Sequence, residues 1–426
     1  MIIGEKRDGV GRAQRKLLLV SNLYPPYVLG GAELIASYLA EEFASRGHQV
    51  SVITTCAPDQ EGVRREVLNG VAVYRFFPQN PYWQYDRSPR PTLRTAFWHL
   101  KDLHNTYAKK IISGLLSQIR PDVLHTHNID GFSPVAWSVG RSHAIPVVHT
   151  SHDYHLLCPR ATLVNGRGDV CISPNVICKG PYRHWYRRAS RNIDVFCGPS
   201  QTLIDLHKQA GMEPRRYALV HNGIPLLPSP SPKPTCTGQL KLLFLGHLSV
   251  IKGFRLVLEV MRRLPASLPI RLDVGGQGAL MAEAVAQADP RIHLHGFVSG
   301  EKKAALLGSA DVLLFPSLWY ENAPTVLLEA RASGLAILAS DFGGAREVVR
   351  GGIDGQFVPK GDVGAWSRAI EHLAADRSRV LALRETATEG LEYFTTHAMA
   401  DRYELVYQSE GVSLTIENGA SHGKSW

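Results

Sequence analysis

"KLLLVSNLYPPYVLGGAELIASYLAEEFASRG", Lys16 to Gly47, holds the repeating unit of the fold in its shortest form. Leu17 to Val20 form a short continuous apolar run, the pattern of a parallel strand covered on both faces. Pro25, Pro26, Gly30 and Gly31 then interrupt the pattern, and an amphipathic helical segment follows. Strand, turn and helix in this order build an open parallel sheet.

The same grammar recurs along the chain. Expected strands begin at Lys16, Gln49 ("QVSVITT"), Val71 ("VAVYRF"), Asp122 ("DVLHTH"), Pro146 ("PVVHTS") and Ile193 ("IDVFCG"). Further strands begin at Leu240 ("LKLLFLG"), Pro269 ("PIRLDVGG"), Arg291 ("RIHLHGF"), Asp311 ("DVLLFP") and Leu335 ("LAILAS"). Between the two sets lies "IPLLPSPSPKPTCTG", Ile224 to Gly238, whose five prolines suit a stiff extended linker. The expected fold is α/β: two doubly wound Rossmann-like domains facing a central cleft. The expected limits are 1–15 as a flexible N-terminus, 16–223 as the first domain, 224–238 as linker and 239–390 as the second domain. A C-terminal helix over 391–410 is expected to return to the first domain, and 411–426 to be a disordered tail.

Length and composition fit this picture. A chain of 426 residues, 44% hydrophobic and 20% charged, suits a two-domain globular protein. No apolar run approaches the roughly 20 residues that cross a bilayer, and the charged start "MIIGEKRDGVGRAQRK" has no apolar leader. Six cysteines in this length make no disulfide framework, so a reduced cytoplasmic setting is expected. Up to Pro232 there are 27 Lys and Arg against 17 Asp and Glu; beyond it, 20 face 21. The basic half points to an anionic partner. No nucleic-acid-binding motif is present, which favours a membrane surface or an anionic lipid-linked substrate.

In such sheets, ligands sit beyond the carboxyl ends of the strands, so the strand-to-helix loops carry the candidates. Gly30 and Gly31 precede a helix, where bare amides either approach a phosphate or merely form a turn. "FLGHLSVIKGFRLVLEV" sets His247 and Lys252 between strand and helix, and a lysine there is either a diphosphate contact or solvated. "DVGGQGAL" lacks the G-x-G-x-x-G spacing of a dinucleotide site. "SLWYENAPTVLLEARASG", Ser317 to Gly334, places Glu321 before Pro324 and Glu329 eight positions after Glu321. Pro324 suits the first helical turn, leaving the amides of Thr325 and Val326 pointing out of the helix start. The two carboxylates are either ligand contacts or a cap-proximal charge and a solvated helix residue.

Taken in order, the paired glycines, the lysine before "GF", the E-x(seven)-E pair and "SDFGGAREVV" resemble the retaining glycosyltransferases of family four, which have the GT-B fold. The resemblance spans roughly Lys16 to Tyr407. It implies a nucleotide-sugar co-substrate (a UDP-, GDP- or ADP-sugar), no required cofactor, and a saccharide or lipid-linked acceptor. It implies Lys252 on the diphosphate, with His247 where the family carries arginine. It also implies Glu329 on the ribose hydroxyls, Glu321 on the transferred sugar and backbone contacts from Asn322, Ala323, Pro324 and Thr325. Phe297 falls at the base pocket, Gly30 and Gly31 approach from the acceptor domain, and His127 of "DVLHTHNIDG" faces sugar and acceptor; His152 is a second candidate. The catalytic set is then Glu321, His127 and Lys252. No D-x-D carboxylate pair is present, consistent with metal-independent transfer. The wider role implied is surface polysaccharide or glycoconjugate synthesis at the inner face of a membrane. A nucleotide-sugar epimerase and a non-catalytic nucleotide-sugar-binding module remain as alternatives.

Two further segments stand apart. Cys158, Cys171 and Cys178 are a candidate structural metal site, although their spacing is looser than that of common zinc sites. "PYRHWYRRASRNID" places Arg183, Arg187 and Arg191 on one helical stripe and Tyr182, Trp185, Tyr186 and Ala189 on another. That arrangement fits a peripheral membrane helix or a domain helix with solvated arginines.

Overall fold

The computed structural model describes residues 14–58, 62–86, 88, 90–165, 169–171, 174–225 and 238–408. The expectations for 1–13, for 226–237 of the linker and for the tail beyond 408 lie outside the described residues. The chain divides into two compact units: one runs to His149 and takes in Asn192–Asp194, and the other comprises Thr150–Arg191 and Val195 onward.

The first unit runs β1 (Lys16–Val20), α1 (Gly31–Ser45), β2 (Gln49–Thr55), β3 (Arg64–Leu68), β4 (Val71–Phe76), α2 (Thr92–Leu103), α3 (Thr106–Ile119), β5 (Val123–Thr126), α4 (Val135–Ser142) and β6 (Val147–Thr150). Its strands lie in the order β3-β4-β2-β1-β5-β6. All neighbours are parallel except β3 and β4. With β2 on one side and β5 on the other, β1 is fully covered, and Leu17 to Val20 are buried.

The second unit holds α5 (Arg183–Ser190), β7 (Val195–Gly198), α6 (Gln201–Gln209) and β8 (Arg216–Leu219), with β7 and β8 parallel. It continues through β9 (Leu240–Leu245), α7 (Phe254–Arg263), β10 (Ile270–Gly275), α8 (Met281–Gln287), β11 (Ile292–Leu294), α9 (Gly300–Ser309) and β12 (Val312–Phe315). It ends with α10 (Thr325–Ala332), β13 (Ala336–Ser340), β14 (Gly355–Val358), α11 (Val363–Ala375), α12 (Arg377–Glu385) and α13 (Thr396–Gln408). Strands β11-β10-β9-β12-β13-β14 form an all-parallel sheet.

Because successive strand residues point to opposite faces, the inner strands β9, β12 and β13 each feed two cores. Leu242 and Phe244 of β9, Leu314 of β12 and Leu338 of β13 pack with Phe254, Trp366 and Ile370. Leu243, Leu313, Phe315 and Ile337 point the other way, onto Leu327 and Leu328 of α10 and onto Leu391 and Phe394. Burial on both faces is why these strands carry no polar alternation.

Every expected strand is present, some beginning a residue or two late, and the structure adds β3, β8 and β14. The additions lack long apolar runs: "RREVL" of β3 is largely exposed and "RYAL" of β8 half-buried. Asn69 and Gly70, at φ 48° and 82°, make the two-residue turn of the β3–β4 hairpin, a signal legible in "LNGV".

One buried group gives the second unit a pH dependence. His207 on α6 is fully buried, with Nδ1 2.8 Å from the Leu203 carbonyl and its ring stacked near Tyr154. Burial pushes its pKa from 6.5 down to about 4. The unfolded chain takes up a proton near pH 6.5 that the folded chain refuses. Stability is therefore complete above that pH and falls as pH drops toward 4, by at most about 3 kcal/mol for this group. Urea midpoints measured across this range are expected to fall less steeply in His207→Gln. His152, also pushed down to about 4 by burial, and His221, lowered by burial as well, add to the slope in the same direction.

Candidate functional site

Two loops of the second unit are fastened together by their backbones. Gly253, at φ 74°, is the cap residue before α7; a Cβ there would lie 1.9 Å from the Pro316 carbonyl oxygen just after β12. The Leu318 amide donates to the Ile251 carbonyl at 2.8 Å. The β9–α7 loop, bearing Lys252, is thereby held against the β12–α10 loop, bearing Glu321. A third segment, Gly343–Glu347 after β13, closes on the same place. The Gly344 amide donates to the Glu321 carbonyl at 2.8 Å, and a Cβ on Gly344 would lie 1.8 Å from the Asn322 oxygen.

At this junction Lys252 Nζ is 2.7 Å from Glu321 Oε1, and Ser317 Oγ donates to the same oxygen at 2.8 Å. Among the described residues both donors fall on Oε1, which leaves Oε2 able to accept from a hydroxyl. The Glu321 carboxylate is buried, whereas Lys252 keeps about a third of its side chain exposed. The ammonium also lies 4.9 Å from the Trp319 ring centroid. The pair is thus a buried acceptor fixing a cation that still faces solvent, and that cation can meet an anion.

The helix start beside it has unused donors. Pro324 is the cap residue, one position outside the helix and not in its first turn as expected from sequence, and α10 begins at Thr325. Among the described residues no side chain caps this helix start. They offer N–H groups and the positive helix end to an anion. Glu329 lies farther along α10 and holds Lys303 of α9 through both oxygens, at 2.7 and 2.6 Å. Its side chain is 24% exposed, so it is neither a core residue nor a freely solvated one.

The remaining candidates are placed as follows. Asn322 Nδ2 donates to the His152 carbonyl at 2.6 Å, and the Ala323 carbonyl accepts from Asn222 at 3.3 Å. His247 and Phe297 are exposed on the loops after β9 and β11. In the first unit, Gly30 caps α1 and Gly31 opens it; the Gly30 amide donates to Glu33 at 2.9 Å. His127 follows β5 and is buried, with its ring 4.3 Å from that of His125. The sequence reading joined Lys252 to Glu321 only by implication and missed Ser317, Trp319 and Lys303. Tyr154 is also buried; burial, reinforced by the Glu321 charge, raises its phenol and keeps it protonated.

Two segments singled out in the sequence lie apart from this junction. Among the described residues, Cys158, Cys171 and Cys178 do not gather as a three-sulfur set within metal-ligand distance. The Cys178 thiol is raised by burial and by the neighbouring Cys158 and Cys171. The helix bearing Arg183, Arg187 and Arg191 turns Tyr182 and Tyr186 into the core, where they bond to the His155 carbonyl and ring. Arg187 and Arg191 bond Glu213, at 2.6 and 2.7 Å, and Trp185 remains partly exposed, so the segment fits the domain-helix reading with its arginines paired at the surface.

Two Rossmann-like parallel-sheet domains of this kind make the GT-B architecture of glycosyltransferases. Residues 239–376 match the family "Glycosyl transferases group 1", and 30–223 match "Glycosyl transferase 4-like domain". The chain belongs to the group 1 glycosyltransferases. It is 26% identical over 340 residues to an uncharacterized 42.6 kDa protein in the cps region of Klebsiella pneumoniae, covering 78% of this chain and 87% of that one. It is 27% identical over 396 residues to a glycogen synthase of Mycobacterium tuberculosis, covering 89% of this chain and 92% of the relative. Among solved structures it resembles Anabaena Alr3699/HepE in complex with UDP, with a TM-score of 0.67 and 15% identity, over 92% of this chain and all of that one.

Proposed function

We propose that this chain is a retaining, metal-independent glycosyltransferase that moves a sugar from a nucleotide-sugar to a saccharide or lipid-linked acceptor. The observation that carries the reading is the Lys252–Glu321–Ser317 cluster at the uncapped start of α10. As the bond to the sugar breaks, its electron pair stays on the leaving nucleoside diphosphate, which gains one negative charge that the Lys252 ammonium and the amides of Thr325 and Val326 can stabilise. Glu321 holds Lys252 in place and keeps Oε2 for a hydroxyl of the transferred sugar. Glu329 is assigned to the ribose hydroxyls, with Lys303 fixing its rotamer until the nucleotide arrives. His247 and Phe297 are assigned to the diphosphate and base, and Gly30, Gly31 and His127 to the acceptor side. The protein's part is positioning and charge stabilisation, with no enzyme nucleophile required.

The relatives support the substrate class. A neighbour of the same fold is a complex with UDP, and a relative is encoded in a cps region, which favours polysaccharide assembly. Thermal-shift measurements with UDP-, GDP- and ADP-sugars test the donor, because a ligand of the folded state raises its apparent stability. No shift with any of them would remove the reading. Proton NMR of the product reports whether the anomeric configuration is retained. Glu329→Ala is expected to fold and to lose about a hundredfold or more in kcat/KM, the scale of two hydrogen bonds to a charged group. Full activity in that variant would dismiss the ribose assignment.

A further inference from the structure

The apolar side chains of α2 face two ways. Trp98 is buried, its Nε1 donating to the Tyr82 carbonyl at 3.1 Å. Leu93, Phe97 and Leu100, at spacings of four and three residues, share another stripe and are 85%, 60% and 64% exposed. Three large apolar residues in one exposed row are more than the scattered surface leucines of an ordinary domain.

Their surroundings are cationic. Arg94 is exposed on the same helix, and Lys109 and Lys110 are exposed on α3, which follows at once. Between Arg87 and Pro121 the sole carboxylate is Asp102. It is buried and accepts the Gly131 amide at 2.7 Å. Just outside this stretch, Asp86 is paired with Arg90 at 2.6 Å. Arg94 thus shares the helix of the apolar row, and α2 and α3 carry exposed cations but no exposed carboxylate among the described residues.

We propose that this face of α2 docks on a bilayer bearing anionic headgroups. Leu93, Phe97 and Leu100 enter the boundary between headgroups and acyl chains, while Arg94, Lys109 and Lys110 meet lipid phosphate. Among the described residues no helix is long and apolar enough to cross a membrane, so the contact lies in the interface plane. A second copy of the chain is disfavoured as occupant, because a two-fold contact through this face would bring the same cations together. The inference rests on α2 alone and does not depend on the donor assignments.

The test is flotation of the full chain with vesicles of phosphatidylcholine alone and of an equimolar mixture with phosphatidylglycerol. Binding to the mixed vesicles that weakens with added salt is expected. The triple variant Leu93→Gln, Phe97→Gln, Leu100→Gln is expected to bind at least about tenfold more weakly, since each side chain loses apolar burial in the interface. These positions are exposed, so its thermal unfolding and its transfer to a water-soluble acceptor are expected to match the parent. In a separate Phe97→Trp protein, emission is expected to shift to the blue on adding mixed vesicles. Undiminished binding by the triple variant, equal binding to both vesicle types, or an unshifted Phe97→Trp emission would each overturn the proposal. So would a dimer that needs these three residues in a chain that ignores vesicles.

Discussion

Lys252→Ala is expected to lower kcat/KM for sugar transfer by about two to three orders of magnitude, the usual consequence of losing a positioned charge at a departing oxyanion. The structure adds a second effect. Glu321 is buried and receives its charge-balancing partner from Lys252. Removing the ammonium leaves the carboxylate held by Ser317 alone, which costs about 1–2 kcal/mol, moderated by the partial exposure of the pair. Lys252→Arg restores the charge but not the reach of a single ammonium, so stability is expected to recover more than activity. Steady-state kinetics beside urea unfolding of the two variants separates these effects. An alanine variant that transfers at the parental rate would exclude Lys252 from the chemistry.

Arg331→Met is expected to be the most destabilising conservative-volume change in the second unit, by about 3–5 kcal/mol. Arg331 sits on the same helix as Glu329 and is 2% exposed. Its guanidinium donates to the carbonyls of Ala387, Val348 and Glu389 at 3.0, 2.7 and 2.5 Å, and lies 3.2 Å from the fully buried Asp354 carboxylate. Methionine fills the volume but leaves three carbonyls without this donor and Asp354 with Arg350 as its remaining cation. Because these bonds tie α10 to the segment leading into α13, loss of nucleotide-sugar affinity is expected to accompany the lower unfolding midpoint. Urea denaturation and a donor titration on the same preparation report both. A midpoint unchanged by the substitution would show that the network contributes little.

Much of the fold was legible because its inner strands are buried on both faces and leave uninterrupted apolar runs, as in "LKLLFLG" and "DVLLFP". Strands β3, β8 and β14 escaped notice because their side chains are wholly or partly exposed, or their runs are short. At the site, Lys252 and Glu321 were legible as loop residues after parallel strands. Their direct pairing was not, because nothing local in sequence encodes a contact across 69 positions. Lys303 was hidden for another reason: in "SGEKKAALLG" it looks like any solvated helix lysine. The stripe containing Tyr182 and Tyr186 was legible only as two alternatives. Aromatic and basic residues alternate on that helix in a pattern that periodicity alone cannot assign to core or bilayer.

The contacts at Gly253 and Gly344 join main chain to main chain. The path of the three loops is consequently written in atoms that every amino acid shares, with two positions reserved for the residue lacking a Cβ. A library that randomises Tyr320 and Ala323, the two side chains between Trp319 and Pro324 that are not buried, can therefore explore new sugars without dismantling their support, whereas alanine at either glycine would alter every variant alike.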